Sequence, residues 1–136
     1  IHVMNGLRPA GSRTRLVLGI AGDRQDEVLL AVAAMAARGV DDVVIGHKER
    51  YLRGRTTAEM AALYRAGAAD VGVTDLEELA TELDGLRTLL ARSAPGDVVA
   101  VMCHAQREEI YAWLEAAGAH QTSPAPLPAG GAAERP

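Results

Sequence analysis

A short apolar run that ends in a glycine turn constrains the fold of this sequence more than any other feature. Residues 16–20 are aliphatic apart from Gly19, which is typical of a β-strand that helices cover on both faces. Gly19 and Gly22 allow the backbone to turn tightly, and four charged side chains follow within 23–27. Because open α/β sheets bind ligands beyond the carboxyl ends of their strands, this turn predicts a binding edge.

The same alternation of strand and helix signals recurs along the chain. The predicted strands are apolar runs at 15–20, 40–45, 71–73 and 98–102. The predicted helices carry apolar residues at helical spacing and cover 25–38, a segment that begins at 56, 76–92 and a last segment after 105. Short connections between apolar strands favour a parallel sheet. We therefore expect an α/β fold, a Rossmann-like three-layer αβα sandwich whose mainly parallel sheet has about four to six strands.

The apolar positions of the helices predict which side chains face the sheet. In the first two helices they are Val28, Leu29, Val32, Met35, Ala36, Met60, Leu63, Tyr64 and Gly67. In the last two they are Leu76, Leu79, Leu83, Leu86, Leu90, Ile110, Trp113, Leu114 and Ala117. A capping box at 56–59 and a second capping pattern at 75–78 mark two helix starts. Since the sequence has no Phe, the core is expected to be aliphatic, with helices that pack closely through alanine.

Composition excludes several classes of function. A net charge of −4 and scattered arginines argue against a nucleic-acid groove. No apolar run approaches the roughly 18 residues of a membrane span, and no signal peptide begins the chain. A single cysteine excludes an internal disulfide and is typical of a reducing, cytoplasmic compartment.

The length of 136 residues fits one domain with flanking segments. Residues 1–14 are rich in turn formers and predict an irregular leader or linker remnant, and the first residue, Ile1, suggests a fragment or a processed product. The α/β domain is expected at 15–119. Residues 120–136, rich in Pro, Gly and Ala, predict a disordered tail.

Polar residues gather in the loops that follow the predicted strands. These loops are expected to share one edge of the sheet and comprise 21–26, 46–55, 73–75 and 102–106. Asp23, Arg24 and Asp26 fit contacts to a nucleotide or a facing domain, and equally fit capping of the helix that follows. The turn is neither a Walker phosphate loop nor a dinucleotide fingerprint, because it has too few glycines and no Lys-Ser/Thr step.

Two further loops carry candidate chemistry. Arg53 and Arg55 flank a glycine and could bind a carboxylate or phosphate, or form a solvated basic loop. Cys103 and His104 are neighbours in the chain, but adjacent side chains of an extended segment point in opposite directions, which disfavours a thiol–imidazole pair. The spacing of His47, Cys103 and His104 matches no metal-ligand pattern.

Three segments in order carry a family resemblance. They are Leu18–Glu27 (LGIAGDRQDE), Tyr51–Arg55 (YLRGR) and Pro95–Val99 (PGDVV). Together they resemble the C-terminal domain of Mur ligases, most closely the cyanophycin synthetase branch, over about residues 15–117. Mur-type ligases make an acyl phosphate from ATP, which an incoming amine attacks to form an amide, and their C-terminal domain closes over a central ATPase domain.

The resemblance implies roles for seven residues. Asp23, Arg24 and Asp26 would lie at the nucleotide and domain-closure edge. The amino-acid substrate would be bound by Arg53, Arg55, His104 and Arg107. The resemblance also implies ATP with Mg²⁺ as cofactor, used only in combination with a Mur-type central domain supplied in cis or in trans.

Nothing in the sequence matches that central domain's phosphate loop, magnesium ligands or lysine. The isolated chain is therefore expected to catalyse no ligation, since it has no enclosed site, and no residue is assigned a catalytic or metal-binding role. One alternative is a free-standing Rossmann-like module that binds or senses a small molecule. A homo-oligomeric scaffold is another.

Overall fold

The computed structural model describes residues 1–122. Its helices are α1 His2–Leu7, α2 Asp26–Gly39, α3 Thr57–Ala69, α4 Glu82–Ala91 and α5 Arg107–Ala116. Its strands are β1 Thr14–Leu18, β2 Asp42–Gly46, β3 Glu77–Leu79 and β4 Val98–Val101, and a 3₁₀ turn spans Glu49–Tyr51. The predicted tail lies, from residue 123 onward, outside the described residues.

The four strands form one parallel sheet in the order β3-β2-β1-β4. Leu16 of β1 is in register with Val43 of β2 on one side and with Ala100 of β4 on the other. The chain therefore moves outward from β1 to β3 and then returns to the opposite side of β1. This change of direction creates a crevice between the carboxyl ends of β1 and β4, where α/β sheets bind ligands. The predicted α/β fold, a Rossmann-like three-layer sandwich, is confirmed.

Alternate residues of the central strands serve two separate apolar layers. Leu16, Leu18 and Ile45 pack with α2 and α3 on one face, and Val17 and Val44 pack with α4 and α5 on the other. Since successive side chains of a strand point to opposite faces, strands covered on both sides must be apolar throughout. The near-continuous apolar run of β1 thus has the origin that the sequence predicts.

Helices α2 and α3 approach closely through small side chains. A Cβ atom on Gly67 would lie 2.2 Å from the carbonyl oxygen of Leu30 and 3.0 Å from Cβ of Ala33. Thr56 begins α3 with the predicted capping box, in which its side chain accepts from the N–H of Glu59 and the Glu59 carboxylate accepts in return. No helix within residues 1–122 is long and apolar enough to cross a bilayer.

The predicted irregular leader is wrong, because residues His2–Leu7 form a helix. Met4 is buried against the sheet, and Asn5 Nδ2 donates to the Gly39 carbonyl at 3.2 Å. A six-residue helix has little stability of its own. Its packing partners lie more than thirty residues away in the sequence, so local propensity alone could not predict it.

The third strand and the fourth helix begin later than predicted. The apolar run 71–73 forms a turn after α3, and the strand is Glu77–Leu79, inside the predicted helix 76–92. This strand is at the sheet edge, where side chains need not be apolar. Helix α4 begins at Glu82 because the Thr81 side chain accepts from the Asp84 N–H and caps it.

Four predicted core positions are also wrong. Leu90 is exposed, since the buried positions of α4 include Leu86 and Leu89 but not the residue that follows. Val28 and Met35 are exposed, since the buried stripe of α2 runs through Leu29, Ala33, Ala36 and Ala37. Ala117 is exposed because α5 ends at Ala116.

Candidate functional site

The loops that follow β1 and β2 are joined into one surface. The Gly22 N–H donates to the Tyr51 carbonyl at 2.8 Å, and a Cβ atom on Gly22 would lie 2.1 Å from the Leu52 carbonyl oxygen. Any larger residue at this position would push the loops apart. Glycine is therefore required here because the two backbones approach too closely for a side chain.

Arg55 reinforces the same junction. Its Nε donates to the Gly22 carbonyl at 2.8 Å and its Nη2 to the Arg24 carbonyl at 3.1 Å. Nη2 also lies 2.6 Å from the Asp26 carboxylate. The structure thus brings two predicted site residues, Arg55 and Asp26, into direct contact. Arg55 fixes the course of the loop through backbone carbonyls, and this leaves its guanidinium less available to a ligand.

Three exposed or half-buried side chains form a strip at this edge, which we call the rim cluster: Tyr51, Arg53 and His104. The Arg53 guanidinium lies 5.6 Å from the centre of the Tyr51 ring, and the His104 ring lies 6.2 Å from it at a 56° tilt. Arg53 has a φ of 52°, which is uncommon for a residue with a side chain and often marks a functional position. The cluster joins the loops after β2 and β4.

Lys48 lies directly beneath the rim cluster. It is the only lysine in the sequence, and it is buried. Its ammonium donates to the Glu82 carboxylate, to the Met102 carbonyl and to Nδ1 of His104 at 3.0 Å. An ammonium has three hydrogens, and here each has one acceptor.

Glu82 is fully buried and binds both the lysine and the loop after β4. Its Oε1 accepts from the His104 N–H at 2.9 Å, and its Oε2 accepts from Ala105 and Gln106 at 3.1 and 2.9 Å. Burial raises the pKa of Glu82, but hydrogen bonds from Lys48 and these backbone groups outweigh it, so that the pKa is below its ordinary value. Glu82 is therefore a carboxylate that holds the loop in place.

A small cavity lies beside this loop. It has a volume of about 140 Å³, and its lining includes His47, Arg50, Thr81 and Gln106. His47 is buried, with Nε2 2.6 Å from the Glu78 carboxylate. Hydrogen bonds from His47 and Arg65 lower the pKa of Glu78. The cavity would hold only a few small polar atoms, well below the usual ligand pocket of about 300–1,000 Å³.

The remaining predicted residues are dispersed. Asp23 and Arg24 are exposed on the loop after β1, 3.9 Å from each other. Arg107 is placed 5.7 Å from the Tyr111 ring and lines, with Cys103, a groove that includes none of the rim cluster. The structure thus brings His104 together with Arg53 through Tyr51, and leaves Arg107 outside that group.

Cys103 and His104 have different surroundings, as the sequence predicts. Burial and the nearby Glu82 raise the pKa of the Cys103 thiol, which keeps it protonated near neutrality. The His104 imidazole is hydrogen-bonded to Lys48 and not to the thiol. Within residues 1–122, no three or more His, Cys, Asp or Glu side chains are grouped so that they could hold a metal ion.

Lys48, Glu82 and Tyr51 are residues of this site that were not among the predicted site residues, and Lys48 and Glu82 are the two that lie buried beneath it. One signal was available, since a single lysine follows a buried strand in a chain whose other basic residues are arginines. Glu82 had no such signal because it fell within a longer predicted helix.

No protein-family model matches this sequence, and no curated protein matches it significantly. The resemblance to Mur-type ligases therefore stays a prediction.

Proposed function

We propose that this chain is the C-terminal, closing domain of an ATP-dependent ligase that forms amide bonds, and that its rim cluster binds the carboxylate of the amino-acid substrate. The observation that carries the proposal is the position of the cluster. Arg53 and His104 lie 5.6 and 6.2 Å from the centre of one aromatic ring, Tyr51, at the carboxyl edge of a parallel sheet, where such folds bind ligands.

The chemistry of the rim cluster supports an anionic ligand. Among residues 1–122, the Arg53 guanidinium has no hydrogen-bond or ion-pair partner, and its planar fork matches a carboxylate. His104 adds a second donor from the opposite loop. The loops that hold them are anchored by Arg55 and Glu82, so that little ordering is needed when a ligand binds.

The open shape of the edge supports a half-site. The adjoining cavity of about 140 Å³ is too small for a nucleotide, and Asp23 and Arg24 are exposed toward solvent. A facing domain would supply the second wall. ATP and Mg²⁺ would then be held mainly by that domain, because residues 1–122 provide neither a phosphate loop nor a group of metal ligands. The bound nucleotide supplies the activating phosphoryl group.

The proposal includes a cytoplasmic location, where ATP and amino acids are available. Asp23, Arg24 and Asp26 would line the closure edge in this arrangement.

Complementation with a Mur-type central domain tests the proposal. The domain, fused or added in trans, should release phosphate from ATP in the presence of an amino acid only when this chain is present. We expect Arg53→Ala to reduce that rate at least about tenfold, the loss of one charge-assisted contact. Arg38→Ala, an exposed arginine in the last turn of α2, is the matched control and should change nothing.

Calorimetry of the isolated chain distinguishes the alternative. A detached half-site should bind ATP-Mg, aspartate, arginine and glutamate only weakly, at near-millimolar strength or below. Micromolar binding of one of them would instead favour a free-standing small-molecule module, and unchanged phosphate release with Arg53→Ala would remove Arg53 from the site.

A further inference from the structure

We infer that the buried pair Lys48–Glu82 positions His104 as the Nε2–H tautomer, so that the ring nitrogen on the ligand side is a hydrogen-bond donor. Lys48 and Glu82 are thus positioning residues for the rim cluster. The part of this inference that concerns a ligand rests on the proposed function, whereas the tautomer follows from the contacts alone.

The first step is the direction of the hydrogen bond between Lys48 and His104. A lysine ammonium has donors and no acceptor, so Nδ1 of His104, 3.0 Å away, must accept. In the neutral imidazole one nitrogen accepts and the other carries the hydrogen. With Nδ1 occupied as acceptor, the hydrogen is on Nε2.

The second step is that Lys48 cannot turn away. Its two other hydrogens are bonded to the Glu82 carboxylate and the Met102 carbonyl, and the side chain of Lys48 is 2% exposed. Water therefore offers no competing acceptor. Breaking any one of these bonds would leave a buried N–H of the ammonium without an acceptor, which is unfavourable.

The third step is that His104 is held at two points. Glu82 accepts from the His104 backbone N–H at 2.9 Å, while Lys48 binds the ring. The backbone and the imidazole are thus fixed by the two members of one ion pair. This arrangement resembles the way in which a partner on one ring nitrogen of a histidine sets the role of the other nitrogen.

The consequence is a pair of complementary donors on the rim. Nε2–H of His104 is a single directed donor, and Arg53 is a cationic fork beside the same Tyr51 ring. Both are donors without acceptor capacity, so the site favours a carboxylate or phosphate oxygen over a ligand group that donates, such as an ammonium. The opposite tautomer would present a lone pair and repel such an oxygen.

Nitrogen NMR of the full chain tests the tautomer directly. With ¹⁵N-histidine labelling, the His104 signals are identified by their loss in His104→Gln, which separates them from His2, His47 and His120. At about pH 8, where free imidazole is neutral, we expect Nδ1 in the unprotonated range and Nε2 in the protonated range. Two nitrogens with nearly averaged shifts, or a protonated Nδ1, would overturn the inference.

Lys48→Met tests the cause. The two His104 nitrogen shifts should move toward each other as the ring exchanges between tautomers, whereas Arg50→Met, a neighbouring exposed cation, should leave them separate. If Lys48→Met is too unstable to study, Lys48→Met/Glu82→Leu removes both buried charges and should give the same averaging. Unchanged separation in either variant would overturn the role of Lys48.

A titration with L-aspartate and with inorganic phosphate separates the inference from the proposed function. Either ligand should shift the His104 Nε2–H signal in the wild-type chain, and Arg53→Ala should abolish the shift. No shift, with the Nε2–H tautomer intact, would overturn anion binding at the rim and leave the role of Lys48 standing.

Discussion

We expect Glu82→Ala to destabilise this fold by about 3–5 kcal/mol, the typical effect of removing one member of a buried ion pair. The structure sets the size of the effect. The Glu82 side chain is 1% exposed and that of Lys48 is 2% exposed, so solvent cannot replace the lost carboxylate. Three backbone N–H groups of the loop after β4 would also lose their acceptor.

This free energy converts to a large thermal shift. Unfolding entropy is about 2.1 cal/mol/K per residue, or about 0.25 kcal/mol/K for about 120 residues, so Tm should fall by about 12–20 °C. Urea unfolding followed by the fluorescence of Trp113, the single and partly buried tryptophan, measures the free energy directly. Glu27 is the matched control, since it also stands in the first turn of a helix but is exposed. Glu27→Ala should change the free energy by less than about 1 kcal/mol.

Two further variants separate the ion pair from the backbone hydrogen bonds of Glu82. Glu82→Gln should not restore stability, because both carboxylate oxygens accept from backbone N–H groups and an amide nitrogen cannot. Lys48→Met should be milder than Glu82→Ala, since the carboxylate keeps its backbone donors. A loss below about 1 kcal/mol for Glu82→Ala would match an exposed pair and refute the argument.

Three other perturbations follow from the same contacts. The pKa values of Glu82 and Glu78 are lowered in the fold from an ordinary value of 4.5. The two carboxylates therefore stabilise the fold fully above pH 4.5, and this stabilisation is lost as the pH falls below that value. The urea concentration at the unfolding midpoint should decrease with acidification, and the decrease should be smaller in Glu82→Ala than in the wild type. Gly67→Ala should destabilise by about 1–3 kcal/mol in urea unfolding, because its Cβ would lie 2.2 Å from the Leu30 carbonyl. Arg15→Met should lower the free energy of unfolding by about 3–5 kcal/mol, since this buried guanidinium bonds two carboxylates at the amino edge.

Each of these three predictions has a control within the same chain. Gly6 is also a helical glycine, but a Cβ there would meet nothing within 4 Å, so Gly6→Ala should be neutral or stabilising. Arg15 is at the amino edge of the sheet, opposite the rim, and Arg15→Met should leave the His104 nitrogen shifts unchanged. If the urea midpoint decreased equally with acidification in the wild type and in Glu82→Ala, the lowered pKa of Glu82 would be contradicted.

The parts of the fold that sequence predicts are those fixed by nearby residues. The β1 run and the capping box of Thr56 and Glu59 depend on neighbours within a few positions, so their patterns are sufficient. β3 is different, because Glu77 and Glu78 are polar and are held by Arg92 and Arg65. An edge strand of this kind has no apolar signature, and an apolar turn at 71–73 competed with it.

The candidate site shows the same division. Sequence places the loops after β1, β2 and β4 at one edge, because parallel strands end together. It could not reveal Lys48–Glu82, whose members are 34 residues apart and meet only when α4 packs beside β2. A buried pair of this kind has no periodic pattern, and only the isolation of one lysine among arginines distinguishes it in the sequence.

Arg53 and Arg55 show how tertiary contacts assign different roles to identical side chains. They are two positions apart and equivalent in sequence, yet only Arg55 reaches the carbonyls of Gly22 and Arg24. Those acceptors exist because Gly22 lets the two loops approach closely. Within residues 1–122, Arg53 has no such acceptor and rests on Tyr51 beside His104. The close approach at Gly22 therefore gives Arg55 a structural role between the loops and leaves the Arg53 guanidinium available for the proposed anion.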